Sequence, residues 1–185
     1  MLRIISGKYG GRIIETPDGR KTRPTTNRTR EAVFNSLCSN FSSNMTLEGA
    51  VVLDMFAGSG ALGFEALSRG ANFVTFCDKS PKAISIIKKN AENLKVNTDN
   101  YQIIRGNSLV PIPCSPIPNL VFADPPYAFL AEKMKSVFDD MIEENIIDTS
   151  SLIYYEHSED ADLSCFSDGY ERIYSKGCAD IFRMK

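Results

Sequence analysis

Residues 51–63 of this 185-residue chain, VVLDMFAGSGALG, constrain its fold more than any other stretch. Val51, Val52 and Leu53 are apolar and mostly β-branched, as a strand covered on both faces requires. Gly58 and Gly60 permit a tight turn and a close approach of backbone to whatever lies above the strand, and Gly63 lets the following helix sit against the sheet. A strand ending in such a turn is built to hold a ligand. The spacing Gly58-x-Gly60-x-x-Gly63 also satisfies the dinucleotide fingerprint, which rests a pyrophosphate on the helix N-terminus. The turn alone therefore leaves the ligand open.

Two features favour S-adenosylmethionine. Asp54 ends the strand four positions before Gly58 and sets a carboxylate beside the turn, where it would repel a pyrophosphate and attract an ammonium or sulfonium. Asp124-Pro125-Pro126-Tyr127 follows a predicted strand at 119–123, and a dehydrogenase has no use for that tetrapeptide. With these residues the chain resembles the Rossmann-like, class I methyltransferases. Within them it resembles the RsmD family, bacterial enzymes that methylate the N2 amine of a guanine in 16S ribosomal RNA. The resemblance spans nearly the whole chain. It runs from Arg3-Ile4-Ile5-Ser6-Gly7-Lys8 through Arg23-Pro24-Thr25-Thr26-Asn27-Arg28-Thr29-Arg30-Glu31 and the glycine turn to Asp124-Pro125-Pro126-Tyr127.

Patterning predicts the elements in order. Two short strands at 3–6 and 12–16 flank a glycine-rich hairpin turn, and a lone hairpin is marginal in water unless it docks on something. After a basic loop, Asn27 is a suitable N-cap for a helix over 28–39 with Ala32, Val33, Phe34 and Leu37 as its apolar stripe. Further helices are expected at 61–69, at 81–94 after the Ser80 cap with Ile84, Ile87 and Ala91 facing inward, and at 130–144. Strands are expected at 73–77, 101–105, 151–156, 171–175 and 179–184, besides those at 51–53 and 119–123.

Strands alternating with helices imply an α/β fold with a mostly parallel sheet and helices on both faces. The resemblance makes it a Rossmann-like class I methyltransferase fold of seven strands with an antiparallel edge, plus an N-terminal β-hairpin and helix extension. Residues 1–49 are expected to form that basic extension of a single domain, and 50–185 the methyltransferase domain proper.

In such a sheet the ligand sits outside the carboxyl ends of the strands, where Asp54, Asp78, Asn107 and Asp124 all fall. Asp78 lies 20 residues after Gly58, the spacing at which an acidic side chain accepts hydrogen bonds from ribose hydroxyls. Asn107 could bond the adenine edge, although asparagine is also a common turn residue. With Phe56, Gly58 and Gly60, these residues form the candidate cofactor set.

Asp124, Pro125 and Tyr127 form the candidate catalytic set. An exocyclic amine is a poor nucleophile because its lone pair is delocalised into the ring. A carboxylate at Asp124 and the carbonyl of Pro125 could accept its N–H bonds and turn the lone pair toward the methyl group. Prolines hold that carbonyl in place and add no competing donor. Tyr127 could stack on a flipped base, for about 1–3 kcal/mol. The same tetrapeptide occurs in DNA adenine-N6 and cytosine-N4 methyltransferases, so it chooses neither base nor polymer. The N-terminal hairpin and Arg23-Pro24-Thr25-Thr26, which resemble the RsmD family's RNA-facing and cofactor-covering region, favour RNA. Asn27 departs from the acidic residue common in relatives.

The net charge of −2 conceals an asymmetry: residues 1–30 hold eight bases against Glu15 and Asp18, a balance of +6 that leaves −8 for the rest. A basic arm on an acidic body suits an enzyme gathering phosphates at one place, and Lys8, Arg12, Arg23, Arg28 and Arg30 are the candidate RNA contacts. Arg28 and Arg30 fall in the first turn of a helix, where the dipole disfavours cations, which hints at an anionic partner. With no separate RNA-binding domain, the substrate is expected to be 16S rRNA in an assembled or partly assembled 30S subunit. Five cysteines without a C-x-x-C pair suggest packed, reduced thiols and no metal. No apolar run reaches the roughly 20 residues of a membrane span and the N-terminus shows no signal-peptide hydrophobic block, so the chain is expected to be cytoplasmic; a monomer is expected. His157, beside the acidic run 156–162, is expected on the surface.

Overall fold

β3 (Val51–Asp54) lies inside a seven-stranded sheet in the computed structural model of the chain. It pairs in parallel with β4 (Phe73–Asp78) on one side and β6 (Leu120–Ala123) on the other. The structure describes residues 2–17, 27–41, 46–126 and 130–185, with the side chains of 27–29 and 41 outside that description. β5 (Tyr101–Arg105) extends the sheet beyond β4, and β7 (Leu152–Glu156) extends it beyond β6. The chain thus builds outward from β3 through β4 to β5, then returns across β3 to begin β6. That reversal opens a crevice between β3 and β6 at their carboxyl ends.

A closing hairpin completes the sheet. β9 (Ala179–Met184) pairs antiparallel with β7, and β8 (Tyr170–Lys176) pairs with β9, giving the order β5-β4-β3-β6-β7-β9-β8. The antiparallel strand is therefore not the edge strand that was expected; it lies one position inside. Burial accounts for the arrangement, because β9 begins with four buried residues whereas β8 carries exposed Glu171, Arg172, Ser175 and Lys176. The more apolar strand gains most from the inner slot, and a polar edge resists further pairing.

Helices cover both faces. On one face lie α1 (Asn27–Phe41), α2 (Ala61–Ser68) and α3 (Pro81–Leu94), whose apolar residues meet Val52, Val74, Phe76, Leu120, Phe122 and Tyr154. On the other lies α4 (Ala131–Glu143), packing Met134, Val137, Phe138 and Met141 over Leu53, Val121, Ala123 and Ile153. Gly63 sits where a Cβ would come within 2.3 Å of the Phe76 ring and 2.8 Å of Val74, so the close helix–sheet contact expected from sequence is present. Ser80 caps α3 by accepting from the Ala83 N–H at 3.4 Å, with Pro81 in the first turn. The inner face of α3 is Ala83, Ile87, Asn90, Ala91 and Leu94; Ile84 is only half-buried.

The N-terminal hairpin, β1 (Leu2–Arg3) with β2 (Ile13–Ile14), is shorter than expected and is held by buried polar side chains of the helices. Glu65, fully buried on α2, accepts from the Ile5 N–H at 2.6 Å and the Ser6 N–H at 3.1 Å, and also binds Arg69 at 2.8 Å. Ser68 accepts from the Tyr9 N–H through its hydroxyl and from the Lys8 N–H through its carbonyl, both at 2.8 Å. Gly7, at φ +80°, lies so near the Ser68 carbonyl oxygen that a Cβ would meet it at 1.8 Å. These contacts give the hairpin the dock that its small size requires.

Candidate functional site

The turn after β3 is fixed by hydrogen bonds from its neighbours on both sides. The Met55 N–H donates to the Phe122 carbonyl at 2.9 Å and the Ala57 N–H to the Cys77 carbonyl at 3.0 Å. Ser108, buried after β5, donates its hydroxyl to the Met55 carbonyl. Gly58 and Gly60 have φ of +56° and +79°, the left-handed region that a side chain disfavours, and the Gly60 N–H closes the turn onto the Ala57 carbonyl at 2.6 Å.

Asp54 is 3 % exposed at the end of β3, and one of its oxygens accepts from the Gly63 N–H at 3.1 Å. Its pKa is pushed up to about 7, chiefly by burial and further by the charge of Asp78, against the Gly63 N–H, which pulls it down. Asp78 ends β4 and is itself buried, one oxygen accepting from the Gly58 N–H at 2.9 Å and the other from the Ser80 N–H at 2.8 Å. It therefore props the glycine turn from below while adding negative charge. The two buried carboxylates put negative charge beside the turn, which suits a cationic ligand and is hostile to a pyrophosphate.

Asn107 follows β5, is exposed, and accepts the Leu109 N–H at 3.2 Å on its own side-chain oxygen. Its local job is thus the turn that sequence also allowed for it. Phe56 is half-buried at the start of the glycine turn. Asp124 leaves β6 exposed, with Pro125 buried behind it, on the strand adjacent to β3. The structure thus gathers the ends carrying Asp54, Asp78, Asn107 and Asp124 on four neighbouring strands, β5-β4-β3-β6. Tyr127 and Arg23 lie outside the described residues, as does the side chain of Arg28.

Two of the basic candidates have internal partners. Arg30 is 6 % exposed and donates to the Arg3 carbonyl at 2.5 Å, under the influence of the Glu65 carboxylate. Arg30 is therefore buried against the hairpin backbone rather than exposed on the surface, where a phosphate contact was expected. Arg12 donates to the Leu94 carbonyl at 2.8 Å and to the Asn93 carbonyl, capping the C-terminus of α3 where the dipole favours a cation. Lys8 is exposed, with its ammonium 5.4 Å from the centre of the Tyr9 ring.

His157 is a second correction. It is buried, its Nε2 lying 2.7 Å from Asp180 Oδ2 and its Nδ1 2.8 Å from the Ser158 carbonyl. Glu156 is also buried and accepts from the Tyr154 hydroxyl at 2.7 Å, so the acidic run begins inside the protein. Sequence reasoning missed Glu65, Asn90 and Ser108 as buried polar anchors. The first two carried a signal, each being a polar residue on an apolar helical stripe.

All five cysteines are free. Among the described residues no helix is long and apolar enough to cross a membrane, and no group of three or more His, Cys, Asp or Glu side chains could hold a metal ion.

A parallel sheet reversed at β3, a glycine turn over two buried carboxylates and one antiparallel strand define a Rossmann-like methyltransferase. The family described as conserved hypothetical protein 95 matches residues 2–182. The chain belongs to that family, which is the RsmD family its motifs resemble. It is 37% identical over 166 residues, 88% of this chain and 81% of the relative, to ribosomal RNA small subunit methyltransferase D of Haemophilus influenzae. It is 39% identical over 127 residues, 68% of this chain and 60% of the relative, to the Escherichia coli protein of the same name. A solved Escherichia coli structure, described as the candidate methyltransferase yhhF, superposes with a TM-score of 0.76 at 30% identity, covering 100% of this chain and 98% of that one.

Proposed function

We propose that this protein methylates ribosomal RNA of the small subunit, transferring a methyl group from S-adenosylmethionine to the N2 amine of a guanine in 16S rRNA within an assembled or partly assembled 30S subunit. The observation that carries the proposal is the juxtaposition of strand ends. Asp124, exposed at the end of β6, neighbours β3, whose end holds the buried Asp54. One carboxylate can meet a substrate amine while the other meets a cationic cofactor. The names of the relatives support the rRNA substrate.

The residues fit the cofactor in charge. Asp54 is a buried carboxylate whose strongest charged influence is another carboxylate, so a cation beside it relieves an existing cost. The glycine turn brings bare backbone to the same place, and Asp78 keeps a second acceptor lobe on each oxygen for ribose hydroxyls. When bound, the sulfonium supplies an electrophilic methyl group. The chain's own part is to orient the nucleophile. Asp124 accepts one N–H of the exocyclic amine and the Pro125 carbonyl the other, which turns the nitrogen lone pair toward the methyl group. Positioning of this kind supplies much of the rate. The methylated amine is acidic enough to lose its proton without a dedicated strong base.

The test is transfer of labelled methyl groups to small subunits isolated without their own methylation, followed by nuclease digestion. N2-methylguanosine is expected. A methylated adenine or cytosine would overturn the guanine assignment, and an absence of transfer would overturn the enzymatic reading.

A further inference from the structure

Asn90 is a polar residue at 0 % exposure on the inner face of α3, where an apolar side chain would be the ordinary choice. Its carboxamide is saturated in a particular way. The oxygen accepts from the Glu15 N–H at 2.8 Å, one N–H goes to the Glu15 carbonyl at 2.9 Å, and the other to the Ser59 carbonyl at 2.9 Å. Glu15 immediately follows β2 and leads out of the N-terminal hairpin. Ser59 sits between Gly58 and Gly60 in the turn over the two carboxylates. One amide group thus pairs with both backbone groups of the arm and, at the same time, with the ligand turn.

The other anchors of the arm do not do this. Glu65 and Ser68 hold residues 5–9 to α2, and Arg12 holds the hairpin to the end of α3. The Lys89–Glu15 ion pair, at 2.8 Å, is largely exposed and contributes little. Among the described residues, Asn90 alone joins Glu15 to the glycine turn by hydrogen bonds. A buried amide with every bond made has no alternative partners nearby, so a shift of Ser59 must be answered at Glu15 or leave a buried polar group unpaired.

We infer that Asn90 is a positioning residue that couples cofactor seating in the glycine turn to the placement of the N-terminal arm, so that cofactor and RNA bind cooperatively. This rests on the proposed function, since it takes the turn to hold the cofactor and the basic arm to face RNA. By linkage, whatever cofactor gives to RNA affinity through Asn90, RNA gives back to cofactor affinity.

Hydrogen exchange followed by mass spectrometry tests this on the intact protein. S-adenosylhomocysteine, the reaction's product cofactor, is expected to slow exchange in the peptide covering 56–61 and also in the peptide covering 12–16, the latter by about fivefold or more. Slowing at 56–61 with none at 12–16 would overturn the coupling and leave the proposed function standing. Slowing at neither would mean that the turn does not take this cofactor, a failure of the functional reading itself. Asn90→Ala is expected to keep the slowing at 56–61 and lose it at 12–16. Equal slowing at 12–16 in that variant would show that the coupling does not run through Asn90. Should the alanine variant not fold, Asn90→Leu, which fills a similar volume without the three hydrogen bonds, is read by the same two peptides.

Discussion

Asp54 gives the most quantitative prediction. With its pKa at about 7, it is about one-eleventh ionised at pH 6 and half ionised at pH 7. If a cationic cofactor binds only the ionised form, affinity should rise about fivefold between those two pH values, and binding at pH 6 should release about 0.9 proton per cofactor. The cofactor's own α-amino group, with an ordinary pKa of about 7.7–8.0, stays mostly charged across this window. Calorimetry in two buffers of different ionisation enthalpy measures both quantities. The stability of the unliganded protein should move oppositely. A carboxyl whose pKa is raised by folding favours the folded state only while protonated. Stability should therefore fall as the pH rises from about 4 to about 7, by at most on the order of 4 kcal/mol. Asp54→Asn should remove the proton release and flatten both profiles. An affinity independent of pH between 6 and 7, or the same proton release in the Asn variant, would refute the argument.

Asp124→Ala should reduce methyl transfer at least about a hundredfold while changing cofactor affinity less than about twofold, if the exposed carboxylate orients the substrate amine as proposed; substantial residual turnover would mean another group orients it. Arg30→Ala should destabilise the protein by about 2–4 kcal/mol in a denaturant titration and leave the salt dependence of RNA binding unchanged. A reduced salt slope would instead make Arg30 a phosphate contact. Burial by itself would lower the His157 pKa, but its hydrogen bonds to Asp180 and Ser158 and the charge of Asp180 outweigh it, so the net shift is upward. With both ring nitrogens facing acceptors, the imidazolium is the form the fold favours. Its stabilising contribution should be complete below about pH 6.5 and vanish as the pH rises through the higher folded-state pKa. The stability gap between wild type and His157→Gln, measured in denaturant, should therefore narrow from pH 6 toward pH 9, and a constant gap would contradict the pairing.

Local rules made much of this protein legible in advance. The bounds of α3, β5 and β9 follow from Ser80-Pro81, from the run 101–105 and from the closing hairpin, because caps, prolines and β-branched runs act within a few residues of themselves. The four strand-end residues were likewise placed by counting, since a parallel sheet puts every carboxyl end on one rim. The tertiary structure alone decided how charge is spent. Arg30, His157 and Glu156 look like surface charges in the sequence, yet Arg30 and His157 are buried against partners more than 20 residues away, and Glu156 is buried beside the Tyr154 hydroxyl of its own strand. Glu65 and Asn90 similarly gather backbone groups from 59 to 75 residues away. A sequence fixes which groups can be charged or donate a bond, and short-range sterics fix where strands and helices begin. Whether a charge faces water or a buried carbonyl depends on which distant segments pack beside it. In this protein that packing turns Arg12 and Arg30, two apparent surface bases of the N-terminal arm, into struts that bond to backbone carbonyls inside the fold.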